Sequence, residues 1–91
     1  MGTTLPEGWT GDRRAIRRTY LFDDFAQAIA FMVEVAFQCQ AQDHHPAWSN
    51  LYDRVDVMLT THEADGVTDR DLRLAETMNE TYLASGARRT G

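Results

Sequence analysis

The first regular pattern in the chain predicts a half-buried strand over residues 15–22. Ile16, Tyr20 and Phe22 fall on one parity, and such alternation places one face of a strand against a core. Arg18 falls on the same parity and interrupts the apolar series. We therefore expect a half-buried strand here, with a break in its pattern at Arg18.

A long helix is predicted next, because apolar residues recur at a spacing of three and four, at positions 25, 28, 29, 32, 35, 36 and 39. Asp23 or Asp24 supplies the N-cap, and Gln27, three residues after Asp24, completes a capping box. Proline disfavours helical geometry in the residue before it, so the helix ends before Pro46. Residues 43–45 are thus expected at the helix exit.

Two strand-like runs, Trp48–Tyr52 and Val55–Thr61, follow Pro46 and predict a hairpin that turns around Asp53 and Arg54. The second run alternates apolar with polar residues. His62 and Glu63 end it, and a turn over residues 64–67 is expected to be tightest at Gly66.

The last predicted element is a helix capped by Thr68, with Asp71 at its third position. Its apolar stripe consists of Leu74, Ala75, Met78 and Tyr82. The tail from residue 84 to residue 91 is expected to fray.

The order strand, helix, hairpin, helix predicts an α+β fold, with helices packed on one face of an antiparallel sheet. Ninety-one residues fit one domain, which we expect to span residues 1–91. Such a sheet has edge strands that need covering, and a second copy is one way to cover them. We therefore expect a homodimer or homotetramer.

Composition narrows the class of protein. Hydrophobic residues make up 43% and charged residues 25%, which are globular values. No apolar run reaches the roughly 18 residues of a membrane span, and a net charge of −5 opposes nucleic-acid binding. One local basic cluster remains, formed by Arg13, Arg14, Arg17 and Arg18. It is either a phosphate contact or a solvated strand face.

The lead of the chain, residues 1–11, shows no period, and Trp9 is its one expected anchor. It has no basic stretch followed by an apolar run, so no signal peptide is expected. Cys39 is the only cysteine, which excludes an intramolecular disulfide. Together these features lead us to expect a cytoplasmic protein.

The three histidines, His44, His45 and His62, all fall at the ends of predicted elements. Imidazoles ordinarily titrate near neutral pH, so such a group suits acid–base chemistry. A zinc site with Asp43 or Glu63 as a further ligand is the rival interpretation. Adjacent histidines in an extended segment point in different directions, however, which counts against it. Unremarkable surface histidines are the third possibility.

The other candidate groups are ambiguous. Cys39 lies on the apolar stripe of the first helix and is expected to pack there. Asp71 fits a capping carboxylate, which does not exclude a contact with a ligand. Trp48 and Tyr52 are either core residues or the wall of a pocket for a planar heterocycle.

Several short blocks resemble the signature of the pterin-4a-carbinolamine dehydratase family, and the gaps between them match it too. The resemblance runs from about residue 5 to residue 83. The blocks are Leu5-Pro6-Glu7-Gly8-Trp9, Tyr20-Leu21-Phe22-Asp23-Asp24-Phe25, Phe31-Met32, Asp43-His44-His45-Pro46-Ala47-Trp48, Asn50-Leu51-Tyr52, Thr60-Thr61-His62-Glu63 and Gly66-Val67-Thr68-Asp69-Arg70-Asp71.

This resemblance implies a cofactor-free and metal-free lyase. Its substrate would be a tetrahydropterin hydroxylated at C4a, which loses water to give quinonoid dihydropterin during recycling of the cofactor of aromatic amino-acid hydroxylases. The implied catalytic residues are His44, His45, His62 and Asp71. Positions in or bordering the pterin pocket are Asp43, Trp48, Thr60, Thr61, Glu63 and Arg70.

The chain departs from the family pattern at two points. The family usually has an N-terminal helix and a longer first hairpin, whereas only eight residues precede Trp9 here. The family also commonly has an acid where this chain has Gln40, which would share a helix face with His44 if the helix continued that far. The same fold also serves as a non-catalytic dimerisation or assembly-chaperone module, which is the alternative function.

Overall fold

The computed structural model describes residues 4–88 and contains a four-stranded antiparallel sheet and two long helices. The strands lie in the order β1-β2-β4-β3. Their side chains on one face form a common core with those of the helices, so the predicted α+β fold is confirmed. The elements are β1 (Thr10–Gly11), β2 (Ile16–Leu21), α1 (Phe25–Gln42), β3 (Ala47–Leu51), β4 (Arg54–Leu59), a 3-10 turn (His62–Ala64) and α2 (Asp69–Ala84).

The sheet buries the residues that the alternation predicts. Ile16 and Tyr20 of β2 and Val55, Val57 and Leu59 of β4 are all buried in one cluster with apolar residues of both helices. Burial of a side chain of this size contributes about 1.5–3 kcal/mol. The helices therefore cover one face of the sheet, and the other face carries the polar positions.

Arg18 interrupts the apolar parity because it covers the edge of this core. Its guanidinium lies 4.4 Å from the centre of the Tyr20 ring, a cation–π contact. Asn79 of α2 accepts three hydrogen bonds at Oδ1, from Arg18 Nη1 at 2.6 Å, Tyr20 Oη at 2.6 Å and Trp9 Nε1 at 3.1 Å. Trp9 is thus the anchor that the sequence predicts.

Helix α1 begins at the predicted cap. Asp24 accepts a hydrogen bond from Gln27 N at 2.8 Å, and the Gln27 side chain accepts one from Asp23 N at 2.8 Å. The buried face lies differently from the predicted stripe, since Phe25 is half exposed and Phe31 is buried. Phe31 contacts aromatic rings of β2 and α2. Such contacts between elements cannot be predicted from helical spacing alone.

Helix α1 ends at Gln42, before Pro46 as predicted. Asp43 adopts a left-handed conformation with φ 54°, donates from its N–H to Gln40 O, and turns the chain so that His44 N donates to Cys39 O at 3.0 Å. This is the Schellman arrangement, usually made with glycine. The helix therefore does not continue to His44, and the condition under which Gln40 and His44 would share a helix face is not met.

The predicted hairpin is present, with its turn one residue earlier than expected. Tyr52 and Asp53 connect the strands, Tyr52 has φ 55°, and Arg54 already belongs to β4. In the following turn the residue with left-handed backbone is Asp65, with φ 55°, whereas Gly66, predicted at the tightest point, has no positive φ. Glycine is needed there for a different reason, because a Cβ at position 66 would lie 2.6 Å from Arg13 O.

Helix α2 has the predicted cap at Thr68 and buries Leu74, Ala75, Met78 and Tyr82, as the stripe predicts. It ends at Ala84. The predicted frayed tail lies partly outside the described residues, and within them Arg88 N donates to the Asp23 side chain at 3.1 Å. Within residues 4–88, neither helix is long and apolar enough to cross a membrane.

Candidate active site

The three histidines line one cavity of about 350 Å³ at one edge of the sheet. Strands β3 and β4 are antiparallel, with Ala47 opposite Met58. The residues before β3 and those after β4 therefore meet at the same edge, although they are distant in sequence. The cavity is lined by Asp43, His44, His45, Thr60, His62, Glu63 and Arg70.

His44 is the most buried of the three histidines, with 7% of its surface exposed. Its Nε2 lies 2.6 Å from Oδ1 of Asp71, whose side chain is completely buried. Charge-assisted hydrogen bonds are short and about twice as strong as neutral ones. This contact therefore fixes the orientation of the imidazole at the cavity wall.

Asp71 is held in turn by the start of α2. Its Oδ2 accepts a hydrogen bond from Thr68 N at 2.9 Å and from Thr61 Oγ1 at 2.7 Å. The backbone N–H can only donate, so the carboxyl group is arranged as an acceptor on this side. If it also accepts from His44 and the ring is neutral, the ring carries its proton on Nε2, and Nδ1 is the nitrogen without a proton.

The two threonine hydroxyls complete this network. Thr61 Oγ1 and Thr68 Oγ1 are 2.7 Å apart. Because the single hydroxyl proton of Thr61 goes to Asp71, Thr68 must donate to Thr61. Thr68 was predicted as a helix cap and not as a site residue, yet the capping box itself is a signal, since it places Thr68 against Asp71.

His45, His62 and Glu63 are exposed around the cavity. Arg70 also lines the cavity and donates from its guanidinium to the carbonyl of Asp43, which joins the start of α2 to the end of α1. The cavity therefore has one buried imidazole and two imidazoles in contact with solvent.

The structure separates some predicted site residues from this cavity. Asp71 and Thr61 are buried and do not line this cavity, and Asp71 contacts it only through its hydrogen bond with His44. Trp48 is half-buried and lines a different cavity beside β2 and β4. Gln40 is exposed on α1 and does not line the histidine cavity.

Two other aromatic and nucleophilic candidates lie away from the site. Tyr52 is 62% exposed at the far end of the hairpin, and so forms no wall of the histidine cavity. Cys39 packs in the core as predicted, and burial raises the pKa of its thiol. Among residues 4–88, no three side chains of His, Cys, Asp or Glu are grouped so that they could hold a metal ion.

A buried aspartate–histidine pair lies beside two exposed histidines, and histidine is the side chain most often used in general acid–base catalysis. The family of pterin 4 alpha carbinolamine dehydratases matches residues 2–81. The chain belongs to the pterin-4a-carbinolamine dehydratase family.

Individual relatives agree with this assignment. A Bordetella avium protein that carries the family's name is 51% identical over 75 residues, which cover 82% of this chain and 69% of that protein. One from Paraburkholderia xenovorans is 55% identical over 71 residues, which cover 75% and 73%. The crystal structure of a transcriptional coactivator/pterin dehydratase from Brucella melitensis matches with a TM-score of 0.81 at 44% identity, covering 84% of this chain and 83% of that one.

Proposed function

We propose that this chain dehydrates a 4a-hydroxy-tetrahydropterin, such as 4a-hydroxytetrahydrobiopterin, to quinonoid dihydropterin and water. The observation that carries the proposal is the cavity lined by His44, His45 and His62, in which the buried Asp71 orients His44. The reaction needs a proton delivered to the C4a hydroxyl, which leaves as water, and a proton removed from N5 as the C4a–N5 double bond forms. No electrons enter or leave.

The geometry supports a division of roles among the histidines. Nδ1 of His44 takes the N5 proton, because Nε2 is committed to Asp71 and the carboxylate stabilises the resulting imidazolium. An exposed imidazole, His45 or His62, donates a proton to the leaving hydroxyl and recovers it from solvent. Asp43, Thr60, Glu63 and Arg70 line the same cavity and bind the ring.

The proposal is tested by ultraviolet absorbance after a 4a-hydroxy-tetrahydropterin is generated in situ. We expect catalysed formation of quinonoid dihydropterin, and a fall in kcat of about 10²-fold or more in His45→Ala or His62→Ala. Gln38→Ala, an exposed change outside the cavity, serves as the control. Wild-type activity should persist in chelator. Activity lost in chelator and restored by zinc would show that a metal is required.

A second function is favoured by one comparison, since the Brucella melitensis relative is named both a transcriptional coactivator and a pterin dehydratase. In that case the chain would act as a dimerisation or assembly module, with or without catalysis. A wild-type rate equal to the uncatalysed background, with the fold intact, would favour this module over the enzyme.

We also propose a homodimer or homotetramer in the cytoplasm. Strand β3 lies at the edge of the sheet, and Val33 and Phe37 on α1 are exposed. Both surfaces favour association. The unpaired Cys39 needs no oxidising compartment. Light scattering on the purified protein measures the mass, and a monomer at micromolar concentration would contradict this proposal.

A further inference from the structure

A second cavity, of about 550 Å³, adjoins the histidine cavity. The two share Thr60 and His62 as lining residues. Arg13 and Arg14, from the loop between β1 and β2, line the second cavity. A ligand in the histidine cavity could therefore extend a substituent past His62 toward two arginines.

The arginine loop is fixed to the site by its backbone. The carbonyl of Arg14 accepts a hydrogen bond from Thr60 Oγ1 at 2.6 Å, and the carbonyl of Arg13 accepts one from Val67 N at 2.8 Å. Within the loop, Asp12 Oδ1 accepts from Arg14 N at 2.8 Å. The loop is thus ordered before any ligand binds, which lowers the entropic cost of binding.

Arg13 and Arg14 are exposed. The acid of the same loop is Asp12, whose pKa is held below its ordinary value by backbone hydrogen bonds from Arg14 and Ala15 and by the charges of Arg14 and Arg17. Neither Arg13 nor Arg14 forms an ion pair with another residue of the described range 4–88, where the ion pairs join His44 to Asp71 and Arg54 to Asp56. Asp65 is the one carboxylate that lines the second cavity. Two adjacent arginines without ion pairs are notable in a chain with a net charge of −5, and guanidinium groups match the geometry of phosphate oxygens.

We propose that Arg13 and Arg14 form an anion subsite that takes a phosphate ester on the side chain at C6 of the pterin. The inference rests on the proposed function, because the histidine cavity must hold the pterin ring. It gives a role to Arg13 and Arg14 of the basic cluster, which do not line the histidine cavity. It also predicts substrate preference, since a neutral C6 side chain cannot use these charges.

The test compares two probes with the same ring, 6-hydroxymethyl-7,8-dihydropterin and its phosphate monoester, by fluorescence titration without turnover. Hydrogen bonds to charged groups contribute about 1.5–3 kcal/mol, so we expect the ester to bind roughly tenfold more tightly or better. In Arg13→Gln/Arg14→Gln that advantage should vanish, with the affinity for the hydroxymethyl probe unchanged. Arg17→Gln/Arg73→Gln removes the same charge from exposed positions outside both cavities and should keep the advantage.

Each contrary result has a distinct meaning. If the ester gains nothing over the hydroxymethyl probe in the wild type, the subsite is wrong while the dehydratase proposal stands. If inorganic phosphate binds through these arginines but the ester has no advantage, the site takes free phosphate and the proposal for the pterin is overturned. If neither probe binds, the pterin function itself fails, and the subsite fails with it.

Discussion

Replacing Asp71 with asparagine tests the buried network at a single atom. Oδ2 of Asp71 accepts from Thr68 N and from Thr61 Oγ1, so the amide oxygen of asparagine must keep that place. The amide NH₂ then faces Nε2 of His44, 2.6 Å from Oδ1 in the wild type. A donor at that position requires Nε2 to accept, which moves the ring proton to Nδ1 and removes the proposed base.

The expected losses differ for activity and stability. Loss of a positioned general base costs about 10²–10⁴-fold in rate, and a forced tautomer change costs about 10⁴-fold in serine-protease triads. Stability falls less, by about 1–2 kcal/mol, since the cap remains and its hydrogen bonds become neutral. Asp71→Asn should therefore remain folded while its turnover falls by at least about 10²-fold.

Asp69→Asn is the matched control, because Asp69 is an exposed acid in the same first turn of α2. It removes the same charge from the helix N-terminus, which is worth up to about 1 kcal/mol, without touching His44. We measure kcat/KM, urea unfolding and the ¹⁵N shifts of the histidine ring in both variants. Turnover by a folded Asp71→Asn within a few-fold of Asp69→Asn, or an unchanged ring tautomer, would refute the reasoning.

Three further predictions concern the rest of the fold. Asn79→Leu leaves three donors without their shared acceptor. Urea unfolding should therefore show that the free energy of unfolding falls by about 2–4 kcal/mol. A fall no larger than that of an exposed substitution would contradict this prediction. The hydrogen bond from Thr19 holds the pKa of Asp56 below its ordinary value. The stability that this hydrogen bond contributes is present above about pH 4 and is lost as the pH falls through the pKa of Asp56 in the folded state. Thr19→Val should therefore destabilise the protein at neutral pH and progressively less in acid. Burial raises the pKa of the Cys39 thiol, so iodoacetamide at mildly alkaline pH should modify it slowly until urea unfolds the chain, and rapid native labelling would show that it is accessible.

The elements with a clear period could be predicted because their pattern records burial directly. Helix α2, its cap and its stripe follow from local spacing and from Thr68 and Asp71. The two-residue β1 could not be predicted, since it is too short for any period and one of its residues is Gly11. The left-handed backbone at Asp65 could not be predicted either. A glycine in a turn suggests that position for the special conformation, but Gly66 is needed because Arg13 O of a distant segment approaches it closely.

The candidate site could be predicted only in part. The residues of the histidine cavity come from the resemblance, but their meeting depends on the register of β3 against β4. Gln40 and Trp48 lie outside that cavity, since the left-handed turn at Asp43 ends α1 and the half-buried Trp48 lines a cavity beside β2 and β4. Pro46 limits how far α1 can extend, but neither the left-handed turn at Asp43 nor the placement of Trp48 leaves a local pattern in the sequence.

Asp71 serves both the fold and the proposed chemistry, whereas His45 and His62 serve the proposed chemistry alone. Its carboxylate caps α2 and contacts His44, so under the proposed function a change there should alter both stability and rate. His45 and His62 are exposed and have no such structural duty in the described residues. Their substitution should change the rate with little change in unfolding free energy, because surface changes away from caps and core are usually within about 0.5 kcal/mol. Under the roles proposed above, the acid could therefore vary without cost to the fold, whereas the proposed base, His44, is held by Asp71 at the start of α2.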